Sequence, residues 1–202
     1  MQQWADIRRQ ASIAGRVTDQ EDGGAVAGAQ LTVTSAQAGF ADWLALKALA
    51  FGRDWDSLTV RADRALSGVD GRYCFIDLPD GSYTVTAEWV SQGNRYGIVT
   101  TTATVARDSN GSVKLAAADL ALPPTRVAGK VDAKTVAVAM AEVRLKGGGE
   151  STFTDGQGVY VLSAIEPGQR IVRAQANGLT AAETSVSVSA RGQSVTVNFS
   201  LS

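Results

Sequence analysis

The sequence predicts a mainly β protein: two tandem seven-stranded antiparallel β-sandwiches, the first interrupted by a short α-helical insert. Three observations carry this. Apolar and polar residues alternate with period two along much of the chain, Gly and Asn turn signals punctuate the runs, and one set of short motifs occurs twice.

The repeat sets the domain plan. Ile13-Ala14-Gly15-Arg16-Val17 returns as Val127-Ala128-Gly129-Lys130-Val131, and Val26-Ala27-Gly28-Ala29 as Val138-Ala139-Met140-Ala141. Asp70-Gly71-Arg72-Tyr73 returns as Gln157-Gly158-Val159-Tyr160. The offset between copies falls from 112 to 87 residues between Val33 and Ser67, so the first copy holds an insert of 25. A length of 202 residues suits two small domains, and 45% hydrophobic residues suffice for two cores. The expected plan is an N-terminal arm over 1–11, a first sandwich over 12–122 with its insert over 36–64, a Pro-Pro linker over 123–125 and a second sandwich over 126–202. Pro123 and Pro124 cannot donate to a ladder and favour an extended backbone, which makes the linker short and stiff.

The strands follow from alternation. Tyr83, Val85, Ala87 and Trp89 fall on one face, Thr84, Thr86 and Glu88 on the other. Tyr73 and Phe75 are expected as core anchors. Ser185–Ser189 alternates Ser with Val, and Val195, Val197, Phe199 and Leu201 give a last strand. Asn110-Gly111, Asn177-Gly178 and Asp80-Gly81 supply turn chemistry. Cys74, between large neighbours in Tyr73-Cys74-Phe75, is expected as a buried, inert thiol.

The insert reads as a helix over Gly39–Phe51, rich in good helix formers and stopped by Gly52. Phe40, Trp43, Leu44, Lys47 and Phe51 share one side, whereas Leu46 and Leu49 lie on others. A helix apolar nearly all round is expected to bury more than one face. It either caps the edge of its own sheet or docks on a partner or a second subunit.

These motifs resemble the carboxypeptidase regulatory-like domain, a transthyretin-like sandwich. The residues that carry the resemblance are Gly15, Val17, Val26, Gly28, Ala29, Gly71, Tyr73, Phe75, Leu78, Pro79, Gly81, Tyr83 and Val85 in the first copy. In the second they are Gly129, Val131, Val138, Ala141, Gly158, Tyr160, Gly168 and Val172. The second departs at Leu162, at Ile165, and at Arg170, which takes the place of the second tyrosine. The resemblance implies a fold used as a binding or spacer module. The whole layout resembles, more distantly, accessory proteins of phage-tail-like contractile injection systems.

Catalytic chemistry is hard to assemble from this composition. No histidine is present and Cys74 is the single cysteine, so neither a Ser-His-Asp nor a Cys-His arrangement, nor a His-ligated metal, can be built. Gly147-Gly148-Gly149 lacks the context of a phosphate loop. Asp19, Glu21 and Asp22 lack calcium-loop spacing and read as a solvated turn. Asp54 and Asp56 read as loop or cap residues. Lys130 and Asn198, candidates for a lysine–asparagine isopeptide bond, both turn outward by alternation. The expected protein is not an enzyme and holds no cofactor or metal.

The balance of 19 basic and 20 acidic residues gives no footprint for nucleic acid, and no apolar run reaches membrane-spanning length. The amino-terminal residues show no secretory signal, so the protein is expected to be made and kept in the cytoplasm, or to leave it only as part of something larger such as a tail-like particle. The leading expectation is a structural or protein-docking subunit of a larger assembly, with protein partners or self-assembly through Trp4, Ile7, Phe40, Trp43, Leu46, Leu49 and Phe51. The alternative is a carbohydrate-binding module, with Trp55, Tyr83, Trp89 and Tyr96 as candidate stacking residues.

Overall fold

The computed structural model describes residues 10–58 and 61–202. The chain is mainly β with one α-helix and divides into two compact units. The first runs to Ser91 and resumes over Val99–Ala121; the second comprises Gln92–Ile98 and Leu122–Ser202.

The first part of the chain forms β1 (Ala11–Asp19), β2 (Gln30–Ser35), helix α1 (Ala38–Phe51), β3 (Arg64–Leu66), β4 (Arg72–Ile76), β5 (Gly81–Glu88), β6 (Val99–Arg107), β7 (Val113–Lys114), β8 (Ala116–Ala117) and β9 (Leu120–Leu122). One sheet has β1 at its centre, with β4 on one side and β8 and β9 on the other. The second runs β3-β2-β5-β6-β7. Alternation gives each strand one buried face: Ile13 and Val17 in β1, Tyr73 and Phe75 in β4, Tyr83, Val85 and Ala87 in β5. Cys74 is exposed, against expectation. The same alternation that buries Tyr73 and Phe75 turns Arg72, Cys74 and Ile76 outward. Bulky neighbours in sequence say nothing about a strand residue's own face.

The rest forms β10 (Arg126–Ala133), β11 (Val136–Ala137), β12 (Glu142–Leu145), β13 (Ser151–Phe153), β14 (Val159–Leu162), β15 (Gly168–Gln175), β16 (Ala182–Val188), β17 (Ser194–Thr196) and β18 (Phe199–Leu201). β10 pairs with β11, β14, β17 and β18, and the other sheet runs β13-β12-β15-β16. Val127, Val131 and Tyr160 from one sheet join Val143, Val172 and Val188 from the other in a single core, the arrangement of a sandwich. Nine short strands therefore stand in each half among the described residues, where the alternation predicted seven. One reason is a break in the last strand of each.

That break is the same in both halves. Ala118-Asp119 interrupts the strand after β8, and Val197-Asn198 interrupts it after β17. The carbonyl at the break points onto a glycine of the first strand: a β-carbon on Gly15 would overlap Ala118 O, and one on Gly129 would overlap Val197 O. A tyrosine then binds that carbonyl. Tyr73, paired with Gly15, donates to Ala118 O, and Tyr160, paired with Gly129, donates to Val197 O at 2.7 Å. Burial pushes both phenols well above their usual range, so each remains a protonated donor. The next side chain closes the bulge: Asp119 accepts the Arg16 amide at 2.8 Å, and Asn198 accepts the Lys130 amide at 2.9 Å. Asn198 and Lys130 are thus tied through the backbone, and both are exposed.

A second paired device clamps the segment before β2 and β12. Ser67 Oγ donates to Val26 O at 2.7 Å and accepts the Ala29 amide at 2.8 Å. Thr154 Oγ1 does the same for Val138 O at 2.6 Å and Ala141 N at 2.9 Å. Between them sits a residue of positive φ, Gly28 at 74° in the first copy and Met140 at 57° in the second.

The Arg170 departure is also resolved. Tyr83 donates to Pro79 O at 2.8 Å; in the second copy Arg170 Nε donates to Glu166 O at 2.9 Å and a terminal nitrogen to Pro167 O at 2.8 Å. An arginine satisfies the corner carbonyls that a tyrosine satisfies in the first copy.

Backbone hydrogen bonds hold the Pro123-Pro124 segment. Gly97 N donates to Pro123 O, Thr125 N donates to Arg95 O, and Tyr96 bridges Pro124. The segment 92–98 belongs to the second unit, although it lies in sequence between β5 and β6. Arg95 fixes it there through Glu150 at 2.9 Å, Glu166 at 3.3 Å and the Ala164 carbonyl at 2.7 Å.

Candidate docking surface

The insert grows from the β2–β3 hairpin. In the second copy the equivalent β12–β13 hairpin is joined by Lys146–Glu150, whereas in the first the chain leaves β2, forms α1 and a 3-10 turn over Gly52–Ser57, and returns at β3. α1 ends where Gly52 takes a positive φ of 54° and donates its amide to Ala48 O.

Phe40 is the one anchor of the helix. It is buried, packs edge-on against the Tyr83 ring at 5.7 Å and stacks with Trp43 at 5.7 Å. The return segment is pinned by ions. Arg61 makes two bonds to Asp63, at 2.9 and 2.6 Å, and both side chains are nearly buried. Donating to Asp63 holds the Arg61 guanidinium above its usual range against the opposing effect of burial. The same guanidinium lies 4.1 Å over the Trp55 ring and reaches Asp56, which also receives Arg64. Sequence reading missed this pair. The two lie in a turn closed by the Arg64 amide on Arg61 O, which brings side chains two residues apart together.

The helix does not bury several faces. Phe40 is its single buried residue, while Trp43 is 43% exposed, Leu46 66%, Leu49 81% and Phe51 46%. One edge contact and a hairpin-borne loop cannot cover a cylinder that is apolar all round. Phe40 and Trp43 line an open groove of about 690 Å³ together with Ile76, Asp77 and Pro79. Trp4 and Ile7 lie outside the described residues.

The remaining sequence candidates take structural roles. Asp19 and Asp22 accept the amides of Glu21 and Gly24, both at 2.7 Å, so the acidic turn is built from its own carboxylates. Among the described residues no group of three or more metal-ligating side chains comes together. Of the candidate stacking residues, Tyr83 is fully buried and the Trp55 ring is covered by Arg61. Trp89 and Tyr96 are half-buried. No helix among the described residues is long and apolar enough to cross a membrane.

Residues 126–202 match the carboxypeptidase regulatory-like domain. The match falls on the second copy, although the motifs read one by one were fuller in the first, whose pattern the insert interrupts. No curated protein matches the chain. Among solved structures it is similar to a type II cohesin–X-dockerin complex from Acetivibrio cellulolyticus, at 20% identity and a TM-score of 0.34, over 38% of this chain and 56% of that one. It is similar to the TIE protein of Bacillus anthracis, at 11% identity and a TM-score of 0.38, over 95% of this chain and 33% of that one. The shaft pilin SpaA of Lactobacillus rhamnosus GG is matched at 11% identity and a TM-score of 0.39, over 96% of this chain and 97% of the pilin.

Proposed function

We propose that the chain is a non-catalytic structural or docking subunit of a larger assembly, with the insert as its docking element. One observation carries the reading. α1 is held in place by Phe40 on Tyr83 and by the buried Arg61–Asp63 pair, yet it presents Trp43, Leu46, Leu49 and Phe51 to solvent. A fully buried side chain of this size is worth roughly 1.5–3 kcal/mol over exposure, which makes these exposed side chains a source of binding free energy. The absence of histidine removes the commonest acid–base and nucleophile-activating group, in keeping with a role without chemistry. Cytoplasmic synthesis and incorporation into a tail-like particle belong to this proposal as its most specific form, motivated by the sequence layout.

Crosslinking in the source cells tests it. The wild-type chain is expected to capture a protein that the Leu46→Glu/Leu49→Glu variant loses, with melting temperature unchanged because both positions are exposed. Capture that survives both substitutions removes the insert from docking. Glycan-array binding that also survives them points to the carbohydrate-binding alternative.

A further inference from the structure

We propose that α1 pairs antiparallel with α1 of a second copy of this chain. The inference rests on the reading of α1 as the docking element and names its partner. At 100° per residue, Phe40, Leu44 and Ala48 point to one side of the helix, and they are its buried or half-buried residues. Asp42, Ala45, Leu46 and Leu49 occupy the opposite side and are exposed. Their i, i+3, i+4, i+7 spacing is that of a helix-packing stripe, and alanine beside leucine allows close approach of a second helix.

The stripe is complementary to itself. Leu46 and Leu49, Ala45 and Ala50, and Asp42 and Arg53 stand at equal distances on either side of the Lys47–Ala48 bond. A two-fold axis through that point therefore sets Leu46 against Leu49 of the second copy, twice, as an isologous contact requires. Asp42, near the start of each helix, then approaches Arg53 of the other copy, just past the helix end. Both are exposed, and neither makes an ion pair among the described residues. A parallel pairing would instead oppose Asp42 to Asp42 and Arg53 to Arg53, so charge selects the antiparallel arrangement. A contact of one helix of 14 residues sits at the low end of interface sizes, which implies a weak dimer that responds to concentration.

Sedimentation velocity of the purified full chain, up to on the order of 100 μM, provides the test. The expected result is a reversible monomer–dimer equilibrium that weakens with salt. Leu46→Glu weakens it by about tenfold or more, since the introduced carboxylate must be desolvated against leucine. Asp42→Arg and Arg53→Asp should each weaken the dimer, and the double exchange Asp42→Arg/Arg53→Asp should restore it, an outcome that misfolding cannot imitate. A chain that stays monomeric throughout overturns the proposal, as does a dimer indifferent to Leu46→Glu or a double exchange that fails to restore. The measurement contains no other protein, so a monomeric result overturns the dimer alone and leaves docking of α1 on a different protein to the crosslinking.

Discussion

Met140 occupies a backbone position that its counterpart fills with glycine, and relieving it should stabilise the second unit. Its φ of 57° lies in the left-handed region, where an L-residue costs roughly 1–2 kcal/mol. The conformation is imposed: Met140 N donates to Thr154 O at 3.0 Å, and Thr154 Oγ1 clamps the residues on either side. In the first copy Gly28 N donates to Ser67 O at 2.9 Å, with φ at 74° and no atom near the place of a β-carbon. The Met140 side chain is 70% exposed, so its removal forfeits little packing. Glycine gives back roughly 0.5–1 kcal/mol in unfolded-chain entropy. Met140→Gly should then gain about 0.5–1 kcal/mol, a rise of about 2–8 °C for a domain of this size. Gly28→Met should lose a similar amount in the first unit. The two are separable, because Trp4, Trp43, Trp55 and Trp89 all precede the residues of the second unit. Tryptophan fluorescence follows the first unit, and calorimetry follows both. Met140→Ala keeps the strain and is the control. Should Met140→Gly melt no higher than wild type, or should alanine match it, backbone strain at this turn is not the cause.

Two further predictions concern the second unit. Tyr160→Phe removes the donor to Val197 O and leaves a buried carbonyl unsatisfied, a loss of about 1–3 kcal/mol in urea unfolding; an unchanged midpoint means another group satisfies that oxygen. Glu150 is held below the usual carboxylate range by its own amide and Arg95, although burial, the largest single influence, opposes this. A depressed folded value contributes stability above the ordinary carboxylate pKa, which is lost as pH falls through the folded value. Arg95→Ala should therefore flatten the acid limb of the stability curve. Residues 125–202 expressed alone, which lack Arg95, should show the same flattening and a lower melting temperature. An acid limb as steep as that of the full chain in both would discount the ion pair.

Local pattern was legible, and what depends on distant partners was not. Alternation placed Tyr73, Phe75, Tyr83 and Val85 inside from sequence alone, because period two fixes the face of every residue once one is known. Applied to Cys74, the same rule would have turned it outward. Helix formers ending at Gly52 located α1 to within a residue at its start. Its burial was misjudged because composition shows which faces are apolar and says nothing of what lies against them. Gly15 and Tyr73 repeat visibly as Gly129 and Tyr160, yet the carbonyls they serve, at Ala118 and Val197, carry no side-chain signature. Likewise nothing local in Arg95 announces that it bonds to Glu150 and Glu166.

The hairpin that carries α1 has a counterpart joined by five residues, Lys146–Glu150, three of them glycine. In neither copy does this tip take part in the tyrosine–carbonyl bolt or the hydroxyl clamp. It behaves as a socket: extra chain can be loaded there without disturbing the parts that hold the sheets together. Copying residues 36–63 between Lys146 and Glu150, with Glu150 kept for Arg95, would give a chain bearing two copies of the helix. Such a graft turns a sequence insertion into an interchangeable fitting, and the sandwich beneath it into a general-purpose mount.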